Sequence, residues 1–426
     1  MSKLSAVLVG CGDRACVYAE EGVHNLRVLR IVAAVDPDET RLKYVRDRFG
    51  VAKEMCFREQ SELLKRGKIC DCVINGTMDE YHLQTAIPFL EQGYDMLLEK
   101  PIVNNKSDLM KIYRAAETHG CKLMTCHVLR YAPFYRKIKE LIQNGRLGEV
   151  VNIRTEERVG VFHSSVSYIR GKWNSEKNCG SSLLLAKCCH DIDLLCWLNA
   201  GTEPSQVFSY GGREFIVPEK APKGAGTRCL VDCPVEVRQN CIYDVQSMYL
   251  DNCLLPWYPW QCIGKNYQEV TVQEKIESLK TYNPHGVCAY KAGGDIVDHQ
   301  NVMIKYKNGS TAVHSLALGC MKAGRSIFIV GTLGEIEGNV EDGHFFLRKY
   351  DKITSTYTEQ KFDFQDKMGE TGGHFGGDRG LVADFCGIIQ GKSPSISYTS
   401  IENSLTGHLL VYAADESMKE NRPVDL

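Results

Sequence analysis

The sequence contains neither a long apolar run nor a long basic run. No stretch of about 18 uninterrupted apolar residues is present, so the sequence predicts no membrane span. Basic and acidic residues nearly cancel, 51 against 53, and the formal net charge is −2. Because no basic surface is indicated that would attract phosphates, nucleic acid is not an expected partner. With 43% hydrophobic and 24% charged residues, the composition is that of an ordinary globular chain.

Cysteine is the one unusual component, with 19 among 426 residues. A secreted disulfide scaffold would be short and would follow a signal peptide. This chain is long enough for two or three domains and begins Met-Ser-Lys before a short strand-like run. We therefore expect a reduced, cytoplasmic protein in which most thiols are small buried apolar groups.

A glycine-rich turn follows the first apolar run. Residues 10–15 read Gly-Cys-Gly-Asp-Arg-Ala, a G-x-G-x-x-A pattern between a predicted strand and a predicted helix. The first Gly permits a tight turn, the second admits a pyrophosphate, and the small third residue lets helix and strand pack closely. A second apolar run, 29–35, ends in Asp36, which is expected to bind the ribose 2′-hydroxyl of NAD and to repel the 2′-phosphate of NADP.

Strands and helices continue to alternate through residue 126. Helices are predicted over 38–49, 80–92 and 107–119, the last capped by Ser107, with strands over 70–76, 95–98 and 122–126. This order predicts a parallel, doubly wound sheet with ligands at the carboxyl ends of its strands. The residues expected to contact the cofactor are Gly10, Gly12, Asp13, Arg14, Asp36, Asn75, Thr77, His82, Glu99 and Lys100.

Two further segments carry a resemblance to a known family. Glu99-Lys100-Pro101 follows a predicted strand, and residues 180–195 read Gly-Ser-Ser-Leu-Leu-Leu-Ala-Lys-Cys-Cys-His-Asp-Ile-Asp-Leu-Leu. Together with the glycine turn, they resemble the glucose–fructose oxidoreductase/inositol dehydrogenase (Gfo/Idh/MocA) family. The resemblance implies an α/β protein with a Rossmann domain over 1–128. It implies an α+β domain over 129–426, with a large, mostly antiparallel open sheet and assembly into a homodimer or homotetramer.

The resemblance also implies the catalytic pair Lys100 and His190. Removing a hydride from an alcohol requires loss of the hydroxyl proton, which an imidazole of ordinary pKa near ~6.5 can accept. A nearby ammonium favours the neutral imidazole and the developing alkoxide. Pro101 makes a cis bond after Lys100 possible. One departure stands out: the family's Asp, four residues before the histidine, is replaced by Ala186, followed by Lys187.

A sugar is the substrate class expected from the polar and aromatic residues of the second domain. Sugar faces stack on rings, and sugar hydroxyls take directed hydrogen bonds. The residues expected on the substrate side are His127, Tyr131, His163, Tyr168, Arg170, Trp173, Lys187 and His374. His190 is expected at the start of a helix, which directs Asp193 elsewhere. Arg130 fits a structural role equally well, and Asp378 is expected to cap a helix over 379–390.

Residues 213–300 form a Cys-rich insertion. Cys229, Cys233 and Cys241 could hold a structural zinc, but their spacings of four and eight residues are unlike the tight pairs of zinc ribbons. Ordinary buried thiols are the alternative. Beyond the insertion, a hairpin is predicted from 302–306 and 311–318 and a second from 327–331 and 335–339. The last helix, 400–418, is expected to pack back on the nucleotide domain.

Three functions remain open on the sequence alone. The first is an NAD-dependent oxidoreductase that oxidises a carbohydrate hydroxyl, with the 3-hydroxyl of a pyranoside or glycoside as the specific expectation. The second is a glycosidase that uses tightly bound NAD through transient oxidation, elimination, hydration and reduction. The third is a non-catalytic NAD-binding sensor, a reading favoured by Ala186.

Overall fold

The computed structural model describes residues 3–365 and 373–426. The first part of the chain forms a six-stranded sheet in which every neighbouring pair is parallel. Its strands are β1 Leu4–Val9, β2 Leu29–Val35, β3 Cys56–Phe57, β4 Cys72–Asn75, β5 Asp95–Leu98 and β6 Leu123–Thr125. The order β3-β2-β1-β4-β5-β6 reverses direction beside β1, which confirms the predicted doubly wound sheet and puts the ligand crevice there.

Helices cover both faces of this sheet. They are α1 Asp13–Glu20, α2 Glu39–Phe49, α3 Gln60–Leu64, α4 His82–Glu91 and α5 Lys106–Thr118. Successive residues of β1 enter opposite cores: Ala6 and Leu8 pack on one side, Val7 and Val9 on the other. A strand buried on both faces has no polar face, which is why β1 is almost entirely apolar, with Ser5 near its start as the exception.

The second sheet has nine strands and is mostly antiparallel, as expected. They are β7 Val150–Gly160, β8 Pro204–Gly212, β9 His299–Tyr306, β10 Thr311–Cys320, β11 Gly324–Gly331, β12 Gly334–Asn339, β13 His344–Asp351, β14 Thr356–Asp363 and β15 Val424–Asp425. Their order is β14-β13-β12-β11-β7-β10-β9-β8-β15, and only the β7–β10 pair is parallel. The hairpins β9–β10 and β11–β12 confirm the two predicted from turn residues.

The longer helices in the rest of the described chain belong to the two domains and to the segment between β8 and β9. They are α6 Pro133–Gln143, α7 Leu183–Leu198, α8 Val272–Lys280, α9 Gly377–Ile389 and α10 Ile401–Glu420. Helix α9 packs its apolar side into the core of the first sheet, although it lies near the end of the chain. Helix α10 packs Leu405 and Leu409 against the first domain and Leu410 into the core of the second. The last helix therefore packs back on the nucleotide domain, as expected, but with one side only, because its other side packs on the second domain.

A buried ion pair joins the domain connection to α7. Arg130 donates through Nε to Asp193 Oδ2 at 2.7 Å and through Nη2 to Asp193 Oδ1 at 2.5 Å. The same guanidinium donates to the carbonyls of Tyr398 and Asn403 at the beginning of α10. Because all of its contacts are internal, Arg130 has the structural role that the sequence left open.

Three predicted helix starts are wrong. Helix α5 begins at Lys106, because Asn105 rather than Ser107 accepts the N–H of Asp108. Helix α7 begins at Leu183, where Ser182 accepts the N–H of Leu185, so His190 lies mid-helix instead of at the start. Helix α9 begins at Gly377 after Gly376, and Asp378 lies inside its first turn.

Residues 213–298 form the insertion, which builds a small core of its own. Between β8 and β9 the described chain contains α8 and several short helices, packed around Trp260, Tyr249 and Val245. Asp298, at the end of the insertion, accepts the backbone N–H groups of residues 214, 215 and 216 at its beginning and so joins the two ends. None of the helices in the described ranges is long and apolar enough to cross a bilayer.

The thiols of the insertion do not assemble into a zinc site. Within residues 3–365 and 373–426, no group of potential ligands brings Cys229, Cys233 and Cys241 together. The Cys229 thiol instead accepts a long contact from Arg170 Nη2 at 3.7 Å. These three residues are therefore ordinary free thiols.

Asp415 makes folding stability sensitive to pH. It lies in α10 and accepts hydrogen bonds from Ser182 at the start of α7 and from Gln300 in β9, and burial raises its pKa to about 6. A carboxyl whose folded pKa exceeds its unfolded pKa favours folding at low pH, and that contribution is lost as pH rises through about 6. Asp415→Asn should therefore stabilise the protein above pH 6 by about 3 kcal/mol and have little effect near about pH 4. Urea unfolding at both pH values measures this, with the exposed Asp425→Asn as control; equal effects at both would contradict it.

Candidate active site

The glycine turn leaves space where a pyrophosphate would lie. Gly10 has φ +76°, and a Cβ there would come within 2.7 Å of the backbone nitrogen of Thr77. A Cβ on Gly12 would meet nothing within 4 Å. A Cβ on Gly76 would lie 2.9 Å from that of Ala15, so β4 and α1 approach closely at this point. The turn is thus both tight and open above Gly12, which fits a dinucleotide phosphate at the beginning of α1.

Asp36 lies at the carboxyl end of β2, beside the same turn. Its Oδ2 accepts the N–H of Cys11 at 2.8 Å and its Oδ1 accepts the N–H of Asp38 at 2.9 Å. Arg41 is 3.7 Å away. The carboxylate is held by the backbone in the position that a ribose hydroxyl reaches in such folds, so the residues present fit NAD.

Arg14 connects the turn to two other segments. Its Nε donates to Glu99 Oε1 at 3.1 Å, and its Nη2 donates to Asp378 Oδ1 at 2.5 Å. Glu99 also accepts the phenol of Tyr18 at 2.6 Å. Burial opposes the charge of both carboxylates, yet Arg14 holds the pKa of each below its ordinary value. Asp378, which the sequence indicated only as a helix cap, is an ionic partner of this network.

Lys100 and His190 meet next to the crevice. The Lys100 ammonium donates to the backbone carbonyl of Ala186 at 2.7 Å, one helical turn before His190 in α7. The peptide bond between Lys100 and Pro101 is cis, as the sequence allowed. Burial lowers the pKa of His190, and the neighbouring Lys100 lowers it further. The His190 ring is therefore a neutral base beside an ammonium.

His127 lies behind His190. The two ring centroids are 5.7 Å apart, and His127 is 1% exposed. Neither ring nitrogen of His127 has a hydrogen-bond partner, and His190 Nδ1 has none either. The Asp193 carboxylate is 3.7 Å from His127 Nε2. His127 is thus placed to support the base rather than to face a substrate.

His374 approaches His190 from the other side of the crevice. Its ring centroid is 6.3 Å from that of His190, and its Nδ1 is 3.1 Å from Asp378 Oδ2. Burial and Arg14 lower the pKa of His374, while Asp378 raises it. Both His374 and Phe375 have positive φ, 49° and 58°, a conformation that non-glycine residues rarely adopt. His374 is therefore a second imidazole at the crevice, and it is paired with the Asp378 carboxylate.

An aromatic wall lines the second-domain side. His163 and Tyr168 have ring centroids 5.6 Å apart, and Trp173 follows 6.3 Å beyond Tyr168. Trp173 Nε1 is 3.4 Å from Asp79 in the first domain. Burial raises the pKa of Tyr168, with a further contribution from Tyr258 of the insertion.

Tyr258 is the neighbour that sequence reasoning missed. Burial raises its pKa, and Asp13, Arg14 and Glu99 all act on it electrostatically, which places it close to the cofactor turn. The only available signal was the aromatic run Trp-Tyr-Pro-Trp at 257–260. The insertion therefore contributes an aromatic residue to the crevice.

Four residues expected in the crevice have other partners. Arg170 donates to the carbonyls of Val287 and Tyr243 and to Ser165, inside the insertion core. The phenol of Tyr131 donates to Asp384, and Lys187 pairs with Glu157. The ring nitrogens of His82 lie beside the carbonyls of Pro101 and Thr77. Each of these side chains holds two segments of the chain together.

Both halves of the chain match one protein family. Its NAD-binding Rossmann domain matches residues 4–127, and its C-terminal alpha/beta domain matches residues 139–426. The chain belongs to the Gfo/Idh/MocA oxidoreductase family. Both motifs in which the sequence resembles that family lie within the matched ranges, Lys100 in the first and Ala186 and His190 in the second.

Relatives in this family are distant. YteT of Bacillus subtilis (strain 168), named as an oxidoreductase, is 25% identical and covers 84% of this chain and 81% of its own length. The inositol 2-dehydrogenase of Ralstonia nicotianae is 22% identical over 66% of this chain and 77% of its own. An Agrobacterium radiobacter oxidoreductase, solved in complex with NAD+, L-tartaric acid and magnesium, has a TM-score of 0.67 at 18% identity and covers 100% of this chain and 98% of its own. It shares the fold.

Asp36 is expected to decide the choice between NAD and NADP. Replacing it with Ser removes a buried carboxylate that would bind the ribose hydroxyls and repel a 2′-phosphate. Asp36→Ser should weaken NAD binding by about tenfold and raise the relative affinity for NADP. Asp38→Ser is the matched control, because that residue caps α2 and serine retains the cap. Titration of both cofactors measures the effect, and thermal melting checks that the variants fold. An unchanged ratio of NAD affinity to NADP affinity would show that Asp36 does not contact the ribose.

Proposed function

We propose that the protein is an NAD-dependent oxidoreductase that oxidises a carbohydrate hydroxyl, with the 3-hydroxyl of a pyranoside or glycoside as the specific substrate position. The observation that carries this proposal is the juxtaposition of Lys100 with the helical turn that precedes His190. An ammonium and a neutral imidazole next to a dinucleotide turn are the two groups that alcohol oxidation requires.

NAD, when bound, supplies the acceptor for a hydride from the hydroxyl-bearing carbon. Gly10, Gly12 and Asp36 would hold it in the turn. His190 accepts the hydroxyl proton, since its ring is neutral in this environment. Lys100 stabilises the negative charge that develops on the oxygen, because the acceptor of its hydrogen bond, the Ala186 carbonyl, is uncharged and leaves the ammonium positive.

The aromatic wall supports a sugar as the substrate. His163, Tyr168 and Trp173 form a continuous series of rings with polar edges, and Trp173 reaches Asp79 of the first domain. Lys172 lies 4.2 Å above the Trp173 ring, and burial lowers its pKa to about 8. Stacking against such rings accommodates a pyranose, while the imidazole and phenol give direction to its hydroxyls.

The outer face of the second sheet supports a homodimer or homotetramer. Tyr210, Met303 and Tyr350 are large apolar residues that face outward from β8, β9 and β13, and about half or more of each remains exposed. Scattered singly they would need no explanation, but they share a nine-stranded sheet. Sedimentation of the purified protein measures the assembly.

Loss of His190 should abolish turnover without loss of the cofactor. His190→Ala removes the proton acceptor, so kcat should fall by about 10²- to 10⁴-fold while NAD affinity stays the same. His119→Ala, an exposed histidine at the end of α5, is the control. NADH absorbance with a panel of sugars and glycosides, together with NAD titration, provides the readout. Full turnover by the His190 variant would refute the assignment, and NAD binding with no turnover by the unaltered protein would favour a sensor.

The His374–Asp378 pair favours a second candidate, a glycosidase that is redox-neutral overall. Oxidation of a sugar hydroxyl makes the neighbouring C–H acidic, and a second base can then remove that proton and release the aglycone. His374 faces His190 across the crevice and is paired with a buried carboxylate, as such a base would be. Hydration and return of the hydride would complete the cycle with no net NADH.

Aglycone release distinguishes the two candidates. With an aryl glycoside, the dehydrogenase forms NADH and leaves the glycosidic bond intact, whereas the redox-neutral enzyme releases the phenol without accumulating NADH. In the second case His374→Gln should lower phenol release by about 10²-fold, because one of two bases is missing. Simultaneous absorbance of NADH and of the phenol measures both. Phenol release unaffected by the substitution would exclude His374 as the second base.

A further inference from the structure

A second cluster of ligand-type side chains lies on the opposite face of α7 from Lys100. Cys188 and Asp191 are three residues apart on this helix and therefore share a face. His314 in β10 faces them from the sheet. One ligand atom from each of the three lies within 4.8 Å of the others, and all three residues are buried. No step proposed above uses them.

Two atoms of these side chains lack any partner. Asp191 Oδ2 and His314 Nε2 are buried without a hydrogen bond, and the two residues are 2% and 0% exposed. Buried polar atoms are nearly always satisfied, so two unpartnered atoms within one three-residue cluster require an explanation. The Cys188 thiol adds a third ligand-type atom to the same cluster.

The other atoms of the same side chains are already held. His314 Nδ1 is bonded to Thr155 Oγ1 at 2.9 Å, and Asp191 Oδ1 accepts from Arg325 Nε at 3.0 Å. This is the arrangement found around metal ligands, in which the non-ligating atom is hydrogen-bonded and fixes the orientation of the ligating one. A chance polar cluster has no reason to divide its atoms in this way.

The surrounding charges accommodate a dication. Asp191, Glu157 and Glu341 provide three carboxylates around Lys187 and Arg325, which leaves one net negative charge if all are ionised. A divalent ion and one thiolate together add one positive charge and bring the set to neutrality. Binding of the ion would displace the Cys188 thiol proton to solvent.

We propose that Cys188, Asp191 and His314 form a structural site for a thiophilic divalent cation, with zinc as the expected ion. Thiolate, imidazole and carboxylate together select zinc, whereas magnesium and calcium prefer oxygen ligands alone. The three side chains supply three of four tetrahedral positions, and Glu157 is a further oxygen donor next to them. The ion joins α7 to β10 directly behind His190 and so restrains the helix that carries the base.

Metal content and a spectroscopic signature test the site. The full-length protein, desalted and analysed by inductively coupled plasma mass spectrometry, should contain one zinc per chain. After removal by a chelator, added Co2+ should give the thiolate-to-cobalt charge-transfer band in the near ultraviolet. Cys188→Ser should lose the ion and the band, whereas Cys189→Ser, the same substitution at the next buried residue of the same helix, should retain both.

The partner of His314 offers a second measurement. Thr155→Val removes the hydrogen bond that orients the imidazole, and we expect Co2+ affinity to fall by about tenfold with the band retained. If Cys188→Ser does not fold, the band in the unaltered protein still decides. A protein that binds no zinc and shows no thiolate–cobalt band overturns the proposal, as does an ion retained equally by Cys188→Ser. None of these readouts depends on NAD turnover, so their failure leaves the proposed oxidoreductase untouched.

Discussion

The ionic contacts of Arg14 hold the candidate active site together. This side chain follows the glycine turn, yet it pairs with Glu99 after β5 and with Asp378 in α9. Each pairing partner has its own function: Glu99 accepts the N–H of Lys100 at 2.7 Å, and Asp378 is bonded to His374. Glu99 and Asp378 are buried while Arg14 is 28% exposed, so removal of Arg14 would leave two buried carboxylates without their cation and destabilise the site. The positions of the cofactor turn, Lys100 and His374 therefore depend on one guanidinium.

Local patterns predicted those parts of the fold that depend on neighbours in the chain. The glycine turn, the alternating strands and helices and the two hairpins are encoded by residues a few positions apart, and all are present. The helix starts were wrong where a cap competes with the pattern. His190 lies mid-helix because Ser182, eight residues earlier, supplies the cap and apolar residues follow it directly.

Long-range pairing accounts for the errors in the site. Asp378 is 364 residues from Arg14, and no local spacing could have joined them. The same limit applies to Arg170, which donates to the Tyr243 carbonyl of the insertion, and to Tyr131, whose phenol donates to Asp384 of α9. A polar side chain in a loop-like segment indicates a need for a partner, but the partner is decided by tertiary packing. Tyr258 is subject to the same limit, because no local spacing links the aromatic run at 257–260 to Tyr168 or to the glycine turn.

The absence of a carboxylate at position 186 changes how a proton is held near the base. Burial lowers the pKa of each of His127, His190 and His408, and their rings form a continuous series, 5.7 Å and 5.5 Å between centroids. Protonation of one ring raises the cost of protonating the next, since the charges lie close together in a region with little water. The series therefore holds a single proton at most. Asp193 is already neutralised by Arg130, so the group that packs beside the base is the neutral imidazole of His127, whose two nitrogens make no hydrogen bond.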